Sequence, residues 1–126
     1  MRRLWAIPVL ALMLAALCIF PARTVRVHTA QLDAALETCV QQIRAENYDA
    51  AAMRVAEAQA DFARWQPWAC AFLYHSELDP LQEALAEAAA GAEAGEWNDC
   101  LAACRRAQTQ VRHLADAARV SWGNLL

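Results

Sequence analysis

Cysteines are the residues of this chain best suited to chemistry, because thiolates bind soft metals and exchange disulfides. One, Cys18, lies in an apolar N-terminal run, and the others are Cys39, Cys70, Cys100 and Cys104. Cys100 and Cys104 are four residues apart and share a helix face, but this is not the Cys-x-x-Cys spacing of zinc sites. We predict buried core thiols. Disulfides among the four later cysteines, or metal or redox work, are the alternatives.

The segment His75-Ser76-Glu77-Leu78-Asp79 places an imidazole beside two carboxylates. His75, Glu77 and Asp79 are therefore candidate metal ligands. In the structural interpretation Asp79 is a helix N-cap, because its side chain can accept hydrogen bonds from the first backbone N–H groups and the following Pro80 needs no donor. We favour the cap and predict no metal or other cofactor.

An aromatic stripe at helical spacing is formed by Phe62, Trp65, Trp68 and Phe72. Such a stripe fills a core or lines a groove for a partner or ligand. A small Ala-rich domain needs large side chains to fill its interior, so core packing is the favoured interpretation. Trp65, Trp68 and Phe72 remain the candidates for a partner surface or groove.

Catalysis and nucleic-acid binding find little support in the sequence. Ser76 and Ser121 are the only serines, neither lies in a Gly-flanked elbow, and no Gly-rich phosphate loop exists. We predict no catalytic residue and no enzyme. From residue 28 onward seven Arg face fourteen acids, a formal charge of −7. Because phosphate contacts need basic residues, no nucleic-acid partner is expected.

The composition favours helix throughout, with only three Gly and four Pro in 126 residues. Apolar residues recur every three or four positions, which predicts an all-α fold. Pro67 should kink or break the second helix. The predicted helices are 24–45, one from residues 47–48 with a further stretch over 68–75, one from Pro80 to about 94, and 97 to about 120.

An internal repeat divides this helical part into two hairpins. A shift of 49 residues superposes Leu36 on Leu85 and Tyr48 on Trp97, with further matches along both halves. The junctions AENYDAA and AGEWNDC resemble those of tetratricopeptide helix pairs. We therefore predict a four-helix, two-hairpin, tetratricopeptide-like bundle.

The N-terminal residues predict a membrane anchor. Nineteen uncharged residues separate Arg3 from Arg23, and as a helix they rise about 28 Å, close to the hydrocarbon thickness of a bilayer. A cleaved signal peptide and a lipoprotein are the alternatives, but small residues are poorly placed for either. The expected domains are a transmembrane anchor over 1–23 and a soluble helical domain over 24–126, outside the cytoplasm.

Several short motifs in order resemble a known family. They are the N-terminal apolar helix, the Trp65-x-x-Trp68 pair, the 75–79 junction, Leu81-x-x-x-Leu85, the Gly95-Glu96-Trp97 turn and the final Asn-Leu-Leu. Together they resemble a bacterial family of short, single-pass membrane-anchored helical proteins called domain of unknown function 4363. The resemblance implies an anchor and a helical fold, and it assigns no activity.

The expected function is a membrane-tethered helical interaction or structural module. Its predicted partners are the membrane and another envelope or membrane protein, and its predicted location is the bacterial cell membrane. The alternative function is an extracytoplasmic sensor that binds a small molecule or a metal.

Overall fold

The structure of this protein is a computed structural model. It describes the backbone of residues 2–69 and 75–123, and the side chains of these residues except 2, 18–22, 75 and 117–123. The helices are α1 (Arg2–Arg44), α2 (Tyr48–Ala69), α3 (His75–Ala94) and α4 (Trp97–Gly123). The all-α prediction is confirmed.

Each helix packs against two others, in the order α1–α2–α3–α4 and back to α1. Within the described residues α1 and α3 make no contact, and neither do α2 and α4. The two hairpins therefore face each other and close a four-helix bundle. A tetratricopeptide array would stack its hairpins side by side. Closure is favoured here because it buries the apolar faces of both hairpins against each other.

Buried side chains from all four helices form one core. The residues that the 49-residue repeat pairs are buried together: Leu32 with Leu81, and Leu36 with Leu85. Further along, buried Val55 matches buried Cys104. The repeat predicted from the sequence is thus a repeat of core positions, and its period is confirmed.

The two hairpin turns have the same backbone geometry. Glu46 and Gly95 both adopt a left-handed conformation, with φ of 61° and 71°. Their N–H groups donate to carbonyls three residues back, at 3.0 and 3.3 Å, and the N–H groups of Asn47 and Glu96 donate five residues back, at 2.8 and 2.9 Å. This pair of bonds is the Schellman motif, which satisfies carbonyls at a helix C-terminus.

Tyr48 and Trp97, the first residues of α2 and α4, stack on each other with ring centroids 4.7 Å apart and an interplanar angle of 17°. The repeat pairs these residues in sequence, and the structure brings them into contact. Both turns therefore lie at the same end of the bundle.

The predicted N-cap at Asp79 is wrong. Helix α3 begins at His75, so Asp79 and Pro80 lie inside it. Leu78 and Leu81 are both fully buried, which requires that this stretch already be helical to face the core. Burial of Leu78 thus outweighs the local signal for a helix start at Pro80. Of the kink or break predicted at Pro67, the break does not occur within the described residues, because α2 continues through Pro67 to Ala69.

The prediction of an N-terminal membrane-spanning helix is wrong. Among the residues that the structure describes, no helix combines the length and the apolarity needed to cross a bilayer. The predicted single-pass location at the bacterial cell membrane is withdrawn with it.

Candidate functional site

Three cysteines meet in the core between α1 and α4. Cys39 comes from α1, and Cys100 and Cys104 lie one turn apart on α4. All three are free thiols with no exposed surface. The Cys104 thiol donates to the Cys39 sulfur at 3.8 Å, and the Cys39 thiol donates to the backbone carbonyl of Ala51 at 3.6 Å. The predicted buried core thiols are confirmed at these three positions, whereas Cys70 lies outside the described residues.

The three thiols do not titrate alike. Hydrogen bonds from Cys104 and Cys39 to the Cys100 sulfur stabilise its thiolate and lower the pKa of Cys100. The same bond with Cys100 raises the pKa of Cys39 and of Cys104, and burial adds to the rise. Cys100 is therefore the first of the cluster to lose its proton.

A polar network joins α1 to α4 one turn from the thiols. The buried side chain of Gln108 donates to Glu37 at 2.9 Å, and Arg105 donates to the same carboxylate oxygen at 2.8 Å and to the Gln108 carbonyl at 2.9 Å. Gln41 donates to the other oxygen of Glu37 at 3.0 Å. These bonds, led by that from Gln108, lower the pKa of Glu37 from 4.5 to about 2.

A groove of about 390 Å³ lies between α1 and α2. Its walls include His28, Trp65 and the Asp61–Arg64 ion pair. The His28 and Trp65 rings stack 5.6 Å apart at an interplanar angle of 16°. The small side chain of Ala58 leaves room beside the ring pair, so the groove offers an aromatic wall next to charged groups.

The N-terminal part of α1, residues 3–17, is named the arm here, because none of its side chains packs into the core. Its large apolar side chains are 52% to 77% exposed, and they are Leu4, Trp5, Ile7, Val9, Leu10, Leu12, Met13, Leu14 and Leu17. Among the described side chains of α1, the first that is buried is Val25. The arm therefore extends beyond the bundle.

The arm gives the molecule a large surface for its mass. The accessible surface is 8520 Å², whereas a compact monomer of 13.9 kDa exposes about 6,700 Å². Exposed apolar patches of more than a few hundred Å² mark interaction sites in soluble proteins. The arm is thus the feature of the described surface that most needs a partner.

The candidate metal ligands His75, Glu77 and Asp79 are not shown to form a metal site. Glu77 is half-buried and Asp79 is exposed on α3, while the His75 side chain lies outside the description. Among the described side chains, no set of three or more His, Cys, Asp or Glu is arranged to hold a metal ion. The 75–79 segment is instead the first turn of α3.

The aromatic candidates separate into different environments. Phe62 and Trp65 are buried and meet edge to face at 5.3 Å, as the core interpretation predicts. Trp65 also forms a wall of the α1–α2 groove. Trp68 is partly buried against the core, and Phe72 lies outside the described residues.

Two features of these sites were not predicted from the sequence. His28 stacks on Trp65 from another helix, and Glu37 meets Arg105 and Gln108 about 70 residues away in sequence. Only the three-residue spacing of Arg105 and Gln108 marked them as neighbours on one helix face. Nothing in a single sequence pairs that face with α1.

The fold and the sites define a small four-helix bundle. It has three thiols in its core, a polar network between its first and last helices, and an apolar arm. The sequence matches the family described as Domain of unknown function (DUF4363) over residues 19–125, so the chain belongs to that family. The arm precedes the matched residues. No curated protein and no solved structure matches the chain.

Proposed function

We propose that this protein is a helical interaction module, in which the bundle acts as a scaffold and the arm docks into an apolar groove of a partner protein. The main observation in support of this proposal is the exposure of nine large apolar side chains along residues 4–17. A helix that is apolar around its whole circumference is stable in water only when its neighbours cover it. The bundle does not cover the arm, so the cover must come from another molecule.

The chemistry of the arm defines what that partner must offer. Residues 4–17 carry no charge, so the partner's groove needs apolar walls rather than ion pairs. The arm is about 22 Å long, and a groove that encloses a helix of this length is a common mode of peptide recognition. The family resemblance supports a bacterial source, so the partner is sought in a bacterial host.

Site-specific photo-crosslinking in bacterial cells tests the proposal on the full chain. A photoreactive residue at Leu14 should capture one predominant protein. The same residue at Met53, which is 66% exposed on α2, is the control and should not capture it. Capture of a second copy would identify the partner as the chain itself. Identical products from both positions, or none from Leu14, would contradict docking through the arm.

A substitution experiment separates docking from folding. Ile7→Glu combined with Leu14→Glu places two charges on the arm and removes no core contact, because both side chains are 56% or more exposed. The melting temperature of the bundle should stay within a few degrees of wild type, whereas capture should fall at least tenfold. Undiminished capture by the charged arm would contradict the proposal.

The second candidate function is a small-molecule sensor, and the groove beside the His28–Trp65 pair is the observation that favours it. The stacked rings would receive a planar apolar group, and the neighbouring Asp61–Arg64 pair would orient a polar substituent. Ligand-observed NMR with a library of aromatic acids and amines tests this candidate. Hits that bind wild type but not Trp65→Leu would favour it, and no hits would leave the docking function in first place.

A further inference from the structure

The cysteine cluster is a chemical feature that arm docking does not use. Cys39 on α1 and Cys104 on α4 lie 65 positions apart in sequence, and their sulfurs are in van der Waals contact at 3.8 Å. The repeat-related positions hold Ala88 and Val55, both buried in the same core. The α2–α3 interface therefore holds no sulfur at the corresponding positions, which sets the thiol pair of the α1–α4 interface apart.

The two sulfurs are placed for a bond between helices. A disulfide needs a separation of about 2.0 Å, so the sulfurs must approach each other by about 1.8 Å. Such an approach requires rotation of the two side chains about their Cα–Cβ bonds, and the helices that carry them are already packed together. A bond between Cys100 and Cys104, in contrast, would join α4 only to itself.

We propose that Cys39 and Cys104 form a thiol modification site, which a low-molecular-weight disulfide oxidises to an intramolecular disulfide that links α1 to α4. In the first step one protein thiolate attacks a sulfur of the reagent, the reagent's S–S bond breaks, and one reagent thiol leaves with the proton. In the second step the other protein thiol attacks the protein sulfur of this mixed disulfide and releases the second reagent thiol. Two electrons pass from the protein to the reagent.

The third thiol, Cys100, lies beside both partners but is not part of the bond. Its hydrogen bonds with Cys104 and Cys39 lower its own pKa. A thiolate of lowered pKa is a weak base and does not activate its neighbours, so Cys39 or Cys104 must lose its proton to solvent or to the reagent during the reaction. Because the cluster has no exposed surface, the reagent enters only when the bundle opens locally, so the reaction is slow.

The test treats the full-length protein with oxidised glutathione under native conditions and follows its intact mass and peptide map. The expected product is a species about 2 Da lighter, with Cys39 joined to Cys104 and reversal by a dithiol. The cross-link closes a long loop, so the melting temperature should rise by at least about 10 °C. Cys39→Ala and Cys104→Ala should each abolish the product, whereas Cys100→Ala, the matched control, should still form it.

Three outcomes would overturn the proposal. Glutathione could remain attached to Cys39 or Cys104 without cross-linking, which would show that the sulfurs cannot approach. The peptide map could join Cys39 to Cys100. A small methyl-thiolating reagent could fail to label Cys39 and Cys104 in the folded protein over a day while labelling both in urea, which would show that no modification site exists. None of these results depends on the arm, so they leave the docking test unaffected.

Discussion

The first and second hairpins have the same backbone and different chemistry. Both end their first helix in a Schellman turn and bury leucines at repeat-related positions. Yet Glu37, which joins α1 to α4, has Ala86 as its counterpart on α3, and Arg105 of α4 has Ala56 on α2. The α1–α4 interface therefore carries a polar network whose two charged residues have alanines as counterparts in the repeat-related α2–α3 interface.

This difference separates what the fold requires from what the chain has added to it. Positions that are alike in both hairpins hold the bundle together. Positions that differ are dispensable to the backbone, since the other hairpin does without them. Substitutions at repeat-related pairs can therefore test the comparison one position at a time.

The largest expected effect is at the shared leucines. Leu36→Ala and Leu85→Ala each remove a fully buried side chain and should lower the free energy of unfolding by about 2–5 kcal/mol. Because the repeat gives them equivalent surroundings, the two losses should agree more closely than the spread of roughly 2 kcal/mol among unrelated buried leucines. Urea titration measures both, and a difference of several kcal/mol would break the equivalence.

The next effect distinguishes the hairpins at their helix crossings. A Cβ atom on Gly91 would lie 3.0 Å from the backbone nitrogen and 3.2 Å from the Cα of Cys100, and backbone atoms cannot move aside as a side chain does. Gly91→Ala should therefore cost about 1–3 kcal/mol, despite alanine's better helix propensity. The repeat-related Gln42→Ala should cost less than about 1 kcal/mol. Thermal unfolding measures the stability of both variants. A Gly91→Ala variant more stable than wild type would contradict the close approach of α3 to the Cys100 backbone.

A smaller effect is expected at the turns, with opposite signs. Gly95→Ala has free space around it but must keep a φ of 71°, so it should destabilise by about 1 kcal/mol. Glu46 already bears this strain at a φ of 61°, so Glu46→Gly should stabilise by up to about 1 kcal/mol. Paired guanidinium titrations check the signs. Equal signs would show that the turns are not equivalent.

The smallest effect is a pH dependence confined to one interface. The pKa of Glu37 is lowered from 4.5 to about 2 in the folded protein, chiefly by the Gln108 hydrogen bond. Its stabilising contribution is therefore present above pH 4.5 and is lost as the pH falls towards 2. Glu37→Ala should flatten the acid limb of the stability curve. Ala86→Glu, which adds a carboxyl at the repeat-related position, should not steepen it, and a steeper limb there would contradict the assignment.

The sequence predicted the parts of the fold that depend on local pattern. Helical periodicity, the turn at Gly95 and the 49-residue repeat were all readable, and burial of Leu36 and Leu85 followed from them. The start of α3 could not be predicted from the sequence. Asp79-Pro80 is a strong local signal for a helix N-terminus, whereas the helix begins at His75 and buries Leu78. The membrane anchor was inferred from the length of the uncharged N-terminal stretch, but no helix among the described residues is both long and apolar enough to cross a bilayer.

The candidate sites were less predictable than the fold. The sequence showed that Cys100 and Cys104 share a helix face, but it did not show that Cys39 completes the cluster from α1. The contacts of Glu37 and His28 likewise depend on which helices become neighbours. That order is fixed by bundle closure, which buries two amphipathic hairpins against each other and leaves no local signature in either one.

Helix α1 runs unbroken from Arg2 to Arg44, so the arm and one wall of the bundle belong to a single rod about 64 Å long. The backbone between the arm and the bundle is helical, so no loop separates the two parts. A partner that binds the arm therefore also sets the direction of the bundle, including the end that carries the Tyr48–Trp97 stack. In an assembly of several such molecules, the angle between neighbouring bundles would be set by the docking geometry rather than by a flexible tether.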